Sequence, residues 1–156
     1  MAELLDVLIR ATRAVHVLEI GTGHGASGLV IAAALPAEGR LITLERDGSA
    51  ATAARTAFAS AGFDRRVTVM IGDAARYLHK IAGPFDLILQ DSDPSAYSSL
   101  HEKLVPLLRP AGVLLIRNVA AAGGYNELLT ADARLTTAFL NIDNGLALAV
   151  KRLGLT

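Results

Sequence analysis

Short apolar runs alternate along this chain with stretches whose apolar residues recur at helical spacing. Residues 15–20 (VHVLEI) set Val15, Val17, Leu18 and Ile20 in a run that ends at a glycine, which predicts a buried strand. Before it, Leu4, Leu5, Leu8 and Ala11 share one face of a short amphipathic helix predicted over 3–13. After it, Gly21, Gly23 and Gly25 break the strand, and a helix is expected over 26–35, stopped by Pro36. The same alternation predicts strands at 40–45, 66–71, 85–90 and 112–116, and helices at 49–61, 74–81, 95–108 and 125–133. Small residues at Ala50, Ala53, Ala54, Ala57 and Ala61 suit helix 49–61 to close packing on a sheet. In helix 95–108, Tyr97, Leu100 and Leu104 turn inward, with Tyr97 read as core. The last two apolar runs, 135–141 and 146–151, flank Asp143-Asn144-Gly145, a turn that joins antiparallel strands.

Several of the five leading strands are apolar throughout, as in a parallel sheet covered by helices on both faces, which makes the fold class α/β. Ligands of such sheets lie beyond the carboxyl ends of the strands. Those ends carry Glu19 through Gly25, Glu45, Asp73, Asp91 and Arg117-Asn118, a polar row on an otherwise apolar sheet. The glycine turn lets the backbone bend sharply and approach a ligand with no Cβ in the way. The helix that follows offers unpaired N–H groups and the positive end of its dipole. Gly21, Gly23 and Ala26 also match the spacing of a dinucleotide fingerprint, so the turn alone leaves the ligand open.

Composition narrows the classes. The 156 residues are 52% hydrophobic and 19% charged, as expected for a single well-cored domain over 1–156. Lys+Arg and Asp+Glu both number 15, so no basic excess points to nucleic acid. No apolar run is long enough to span a bilayer. Glu3, Asp6 and Arg10 interrupt the N-terminal apolar residues, unlike a signal peptide. There is no cysteine, so disulfides and thiol chemistry are excluded and a cytoplasmic location is expected.

A parallel sheet closed by an antiparallel hairpin resembles the class I S-adenosylmethionine (SAM)-dependent methyltransferases more than the dinucleotide dehydrogenases. The ordered segments LEIGTGHGAS, GRLITLERD, ARTAFASAG, RVTVMIGDA, FDLILQDSDPSAY, LVPLLRPAGVLL and DNGLALAVKR are similar to successive motifs of the small O-methyltransferases of the caffeoyl-CoA and catechol type. The resemblance runs from about residue 4 to 153. It implies a Rossmann-like three-layer α/β/α sandwich with a seven-stranded, mainly parallel sheet in the order 3-2-1-4-5-7-6. It also implies that Glu19 and the turn Gly21, Thr22, Gly23 and Gly25, with Ser27 beside it, hold the methionine portion of SAM. Glu45 would take the ribose hydroxyls, with Arg46 next to it. Gly72, Asp73 and the Ala74 N–H would meet the adenine. Asp91 would lie next to the sulfonium.

The departures from the family pattern fall on the acceptor side. The family's divalent-metal site uses an Asp after strand four and an Asp-Asn pair after strand five; here Asp91 and Asn118 stand, but Arg117 replaces the first of the pair. Pro94 stands where the family often has a lysine, and the N-terminal helices are reduced to 1–14. Two unit charges about 4 Å apart interact by roughly 4 kcal/mol at an effective dielectric near 20, and a dication doubles the repulsion. No metal is therefore expected, with Arg117 either paired to Asp91 or turned to solvent. Asp91, Asn118, Arg117 and His24 are the catalytic candidates, and Asp91 or His24 is the nearest base. His24 faces either cofactor or solvent, and Asn118 either substrate or its own loop. Asp73 is a helix cap, a ligand or both, Asp47 is either a solvated strand-end charge or part of the site, Asp93 reads as a turn or cap residue, and His16, His79 and His101 as surface or core-edge positions.

The expected function is SAM-dependent methyl transfer to a hydroxyl of a small molecule, phenols among the candidates, without the divalent metal. The competing reading is a SAM-binding sensor or interaction protein without catalysis. A third, an NAD(P)-binding oxidoreductase, is disfavoured by the terminal hairpin. The resemblance admits a homodimer.

Overall fold

The structure is a computed structural model that describes residues 1–154; Leu155 and Thr156, the end of the expected domain, lie outside the described residues. Strands β1 (His16–Ile20), β2 (Arg40–Glu45), β3 (Val67–Ile71), β4 (Phe85–Gln90), β5 (Leu108–Arg117), β6 (Leu135–Leu140) and β7 (Leu146–Lys151) form one sheet in the order β3-β2-β1-β4-β5-β7-β6. The first five run parallel, β7 is antiparallel to β5, and β6 is antiparallel to β7. The order and the antiparallel end are those implied by the resemblance.

Alternation along the strands builds two cores. Leu18, Ile20, Leu44, Ile88 and Leu114 point to one face, which also takes up Tyr97, Leu100 and Tyr125. Val17, Leu41, Leu87, Leu89 and Leu115 point to the other, with Leu5, Ile31 and Phe58. The helices supplying these residues are α1 (Ala2–Thr12), α2 (Ala26–Ala34) and α3 (Gly48–Ser60) on the second face, and α4 (Ala74–Tyr77), α5 (Tyr97–Leu104) and α6 (Tyr125–Ala131) on the first.

Three expected elements are shorter or longer than their apolar pattern suggested. The helix over 74–81 is one α turn followed by a 3₁₀ turn, Leu78–Lys80. The helix over 95–108 is α-helical only at 97–104, between 3₁₀ turns at Pro94–Ala96 and Val105–Leu107. Pro94 opens the first of these turns and Pro106 is the second residue of the other, and proline cannot donate to a helical ladder. Strand β5 starts at Leu108 rather than 112, through an irregular stretch in which Ala111 takes a positive φ of 60°.

Asp86 ties the lower ends of three strands. Its carboxylate accepts from the Val15 and His16 N–H groups at 2.8 and 2.7 Å and from Arg109 Nε at 2.5 Å. Burial opposes its ionisation, but these donors outweigh burial and hold it below the usual carboxylate range. Its contribution is therefore present at neutral pH and is lost on acidification. Asp86→Ala is expected to cost about 2 kcal/mol, lowering the melting temperature by roughly 4–8 °C at pH 7. The deficit should shrink as the pH falls toward 3, as thermal melts across that range would register.

Candidate functional site

The chain leaves β1 toward β2 on one side and returns to β4 on the other. The connections after β1 and β4 lead to helices on opposite faces of the sheet, so a crevice opens at the switch in strand order. A cavity of about 860 Å³ occupies this place, within the size range of small-molecule sites. Its wall includes Gly21, Gly23, Glu45, Asp73, Asp91 and Arg117, drawn from the ends of all five parallel strands.

The glycine turn is fixed from several sides. Gly21 and Thr22 N–H groups donate to the Leu44 carbonyl at 2.9 and 3.2 Å, and the Asp91 N–H donates to the Ile20 carbonyl at 2.9 Å. Gly21 has φ 97°, and a Cβ there would sit 2.3 Å from the Asp91 carbonyl oxygen, so the two loops touch through a residue that must be glycine. A Cβ on Gly23 would meet nothing within 4 Å. The Gly23 N–H donates to Glu45 Oε2 at 2.8 Å, while Glu45 Oε1 accepts from the Asp47 N–H at 2.9 Å. The half-buried Glu45 thus joins the first two strand ends and keeps lone pairs for the cavity it lines. Gly25 is the N-cap of helix α2 and brings no side-chain cap, so the first-turn N–H groups stay available beside the turn.

Glu19 corrects an expectation. It does not line the cavity: it is fully buried behind the turn, on the face covered by α2. The strand period explains this, because Glu19 lies between Leu18 and Ile20, which point to the opposite core. Its two oxygens accept from Ser27 Oγ and, at 2.7 Å, from Thr43 Oγ1, whose hydroxyl lies 2.5 Å from that of Thr22. Burial pushes the Glu19 carboxyl up to about 7 against the pull of these two hydroxyls, with Asp91 and Glu45 adding negative charge nearby. Thr22 and Ser27 therefore link the cavity wall to a polar knot beneath it.

Asp73 and Ala74 line the cavity beside Gly72. Asp73 also accepts from the Ala75 N–H at 2.7 Å, so it caps α4 while facing the cavity. Asp47 caps α3 through the Ser49 and Ala50 N–H groups, and Asp93 caps the turn at Ser95. At the rim, Arg46 lies 3.9 Å from Asp93.

At the far end Arg117 Nη1 donates to Asp91 Oδ2 at 2.6 Å, the first of the two arrangements expected for this pair. Burial raises the Asp91 pKa, and the adjacent guanidinium only partly opposes it. Arg117 Nε and Ser92 Oγ are buried without a partner, so this end holds polar capacity that the protein itself does not use. Tyr97 is core, as expected; its hydroxyl donates to the Ser92 carbonyl at 3.1 Å and burial holds it protonated. His24 lines the cavity, is exposed and forms no hydrogen bond among the described residues. Asn118 corrects its catalytic reading. It does not line the cavity, and it adopts the left-handed conformation (φ 55°) that asparagine tolerates while turning the chain after β5.

Where the resemblance implies a second metal-binding carboxylate, a guanidinium stands and already pairs with Asp91. Elsewhere among the described residues, His101, Glu102 and Asp132 lie close enough to share an ion. However, Arg134 bonds both acids and His101 bonds Asp132 at 2.7 Å, so these groups already partner one another. His101 is 1% exposed, against the expectation of a surface or core-edge position. The signal was present: it lies four residues after Tyr97 and follows Leu100, on the helix stripe read as inward. The same stripe carries Leu100 into the cavity wall, and Ser92 and Ala96 reach it from the loop after β4.

A family model described as O-methyltransferase matches residues 1–127. The mouse (Mus musculus) "Catechol O-methyltransferase domain-containing protein 1" is 31% identical over 171 residues, covering 96% of this chain; the chain spans 65% of that protein's length. The O-methyltransferase TomG from Streptomyces achromogenes, solved in complex with SAM, superposes with a TM-score of 0.90 at 27% identity, covering 97% of this chain and 79% of TomG. An O-methyltransferase from Bacillus cereus, solved in complex with SAH, gives 0.89 at 27% identity, covering 97% and 80%.

Proposed function

Because this chain belongs to the O-methyltransferase family, we propose that it transfers a methyl group from SAM to a hydroxyl of a small molecule without a divalent metal. The observation that carries the reading is the glycine turn held by Glu45 at the mouth of a cavity whose wall runs from Asp73 to Asp91. The uncapped start of α2 suits the carboxylate of the methionine portion. Glu45 suits the ribose hydroxyls, and the Gly72–Asp73–Ala74 segment the adenine edge. SAM supplies a methyl carbon on a sulfonium, which passes to the acceptor oxygen as the carbon–sulfur bond breaks and leaves S-adenosylhomocysteine (SAH).

The protein's own tasks are then alignment and proton removal. The Gly21–Asp91 contact fixes the distance between the donor loop and the acid that faces the acceptor. Asp91 accepts the hydroxyl proton, its affinity for it raised by burial. Arg117 holds Asp91 in place and offsets the charge that a metal would otherwise offset.

SAM and SAH are expected to raise the melting temperature while NAD(H) leaves it unchanged. Methyl transfer to a panel of phenols should proceed unaltered in EDTA. Stabilisation by NAD(H) alone, or turnover abolished by EDTA and restored by Mg²⁺, would overturn the proposal. A second reading, SAM binding without turnover, is favoured by the same Arg117–Asp91 pair, since it engages one oxygen of the base. Tight SAH binding with no product from any phenol would select it.

A further inference from the structure

Resting on that reading, we propose that Arg117 selects the acceptor: the molecule methylated carries an oxyanion, a carboxylate above all, on the atom next to its hydroxyl-bearing carbon. Arg117 spends Nη1 on Asp91. Its Nη2 makes no hydrogen bond among the described residues and is reached by solvent, and the same is true of Asp91 Oδ1. Both side chains line the same cavity. The two groups that carry this unused acceptor and unused donor are thus joined through their other atoms, Nη1 and Oδ2, at 2.6 Å. An incoming hydroxyl can donate to Asp91 Oδ1 while a neighbouring oxygen accepts from Arg117 Nη2.

A guanidinium has N–H donors and no acceptor, and with an ionised oxygen it gains charge attraction as well as hydrogen bonding. A metal would accept a neutral diol by ionising it; Arg117 cannot, and so favours an oxygen that is already anionic. The charges agree. Asp91 and Arg117 cancel, as do Arg46 and Asp93 at the rim. With Glu45 and Asp73 on the donor side of the cavity, the sulfonium is the charge left without a partner at this end, and an anionic acceptor offsets it. Arg117 is 28% exposed, so this charge is only partly screened by water.

The test is calorimetric binding of 2-hydroxybenzoate and its neutral isostere 2-hydroxybenzyl alcohol to the SAH complex in EDTA, which needs no turnover. The wild-type protein is expected to bind the benzoate at least tenfold more tightly. In Arg117→Gln the ratio should fall to threefold or less, with circular dichroism confirming the fold. Asp91→Asn keeps the cation and removes its carboxylate partner, so its ratio should equal or exceed that of the wild type. It serves as the second variant if Arg117→Gln does not fold. Equal affinities in the wild type, binding of neither compound, or a ratio that survives Arg117→Gln overturns the inference. Failure of SAH itself to bind overturns the underlying reading instead, and the two failures are read from separate titrations.

Discussion

Gly21→Ala is expected to destabilise the protein by about 3 kcal/mol or more and to abolish SAH binding in any fraction that folds. The new methyl would lie 2.3 Å from the carbonyl oxygen of Asp91, 2.7 Å from its carbon and 3.0 Å from the Ser92 nitrogen. All three are backbone atoms, so no side chain can swing aside. The φ of 97° adds strain that only glycine escapes. For a chain of this size the melting temperature should fall by roughly 6–12 °C. Gly23→Ala is the control, because a Cβ there meets nothing within 4 Å and φ is 52°, inside the region that other residues visit at modest cost. It should cost about 1 kcal/mol and act on ligand binding more than on stability. Equal losses from the two substitutions, measured by denaturant melts, would show that the contact between the β1 and β4 loops is not what fixes the turn.

The second large effect lies beneath the turn. Glu19 rises from 4.5 to about 7 in the folded protein, mainly because it is buried. Between those values the folded state holds a proton that the unfolded chain has released. Stability is therefore lost as pH rises through this window, and above it the full penalty stands, about 3 kcal/mol for the shift. Glu19→Gln removes the charge. It forfeits one acceptor for Ser27 or Thr43, at a cost of about 1 kcal/mol. At pH 8 the variant should melt several degrees above the wild type, and at pH 5 slightly below it. Parallel melting curves for the two proteins from pH 5 to 8 would mean that Glu19 stays ionised throughout.

Much of this was legible in the residues. The strand–helix alternation and the Asn-Gly turn led to a mainly parallel sheet with an antiparallel end, because apolar runs and turn residues report local physics directly, while the order of the strands was implied by the family resemblance. The site was legible as a set of positions and less so as directions. Glu19 stands in the motif beside the glycines, yet alternation within β1 turns it away from the cavity. Asn118 follows Arg117, yet its left-handed backbone removes it from the wall. His101 shows a different limit. A polar residue on an apolar stripe is buried only where distant partners satisfy it, and Tyr125 and Asp132 come from elements not adjacent to it in sequence. The Arg117–Asp91 pair was foreseen as one of two alternatives, and packing at the ends of β4 and β5 chose between them.

The measurement that bears most directly on the central claim is calorimetric titration of SAH into the wild-type protein and Glu45→Ala, with EDTA present. One-to-one binding is expected for the wild type, weakened at least tenfold in the variant, which loses the carboxylate holding Gly23 and facing the cavity. Absence of binding to the wild type, or equal affinity in the two proteins, would contradict the assignment of this cavity to SAM.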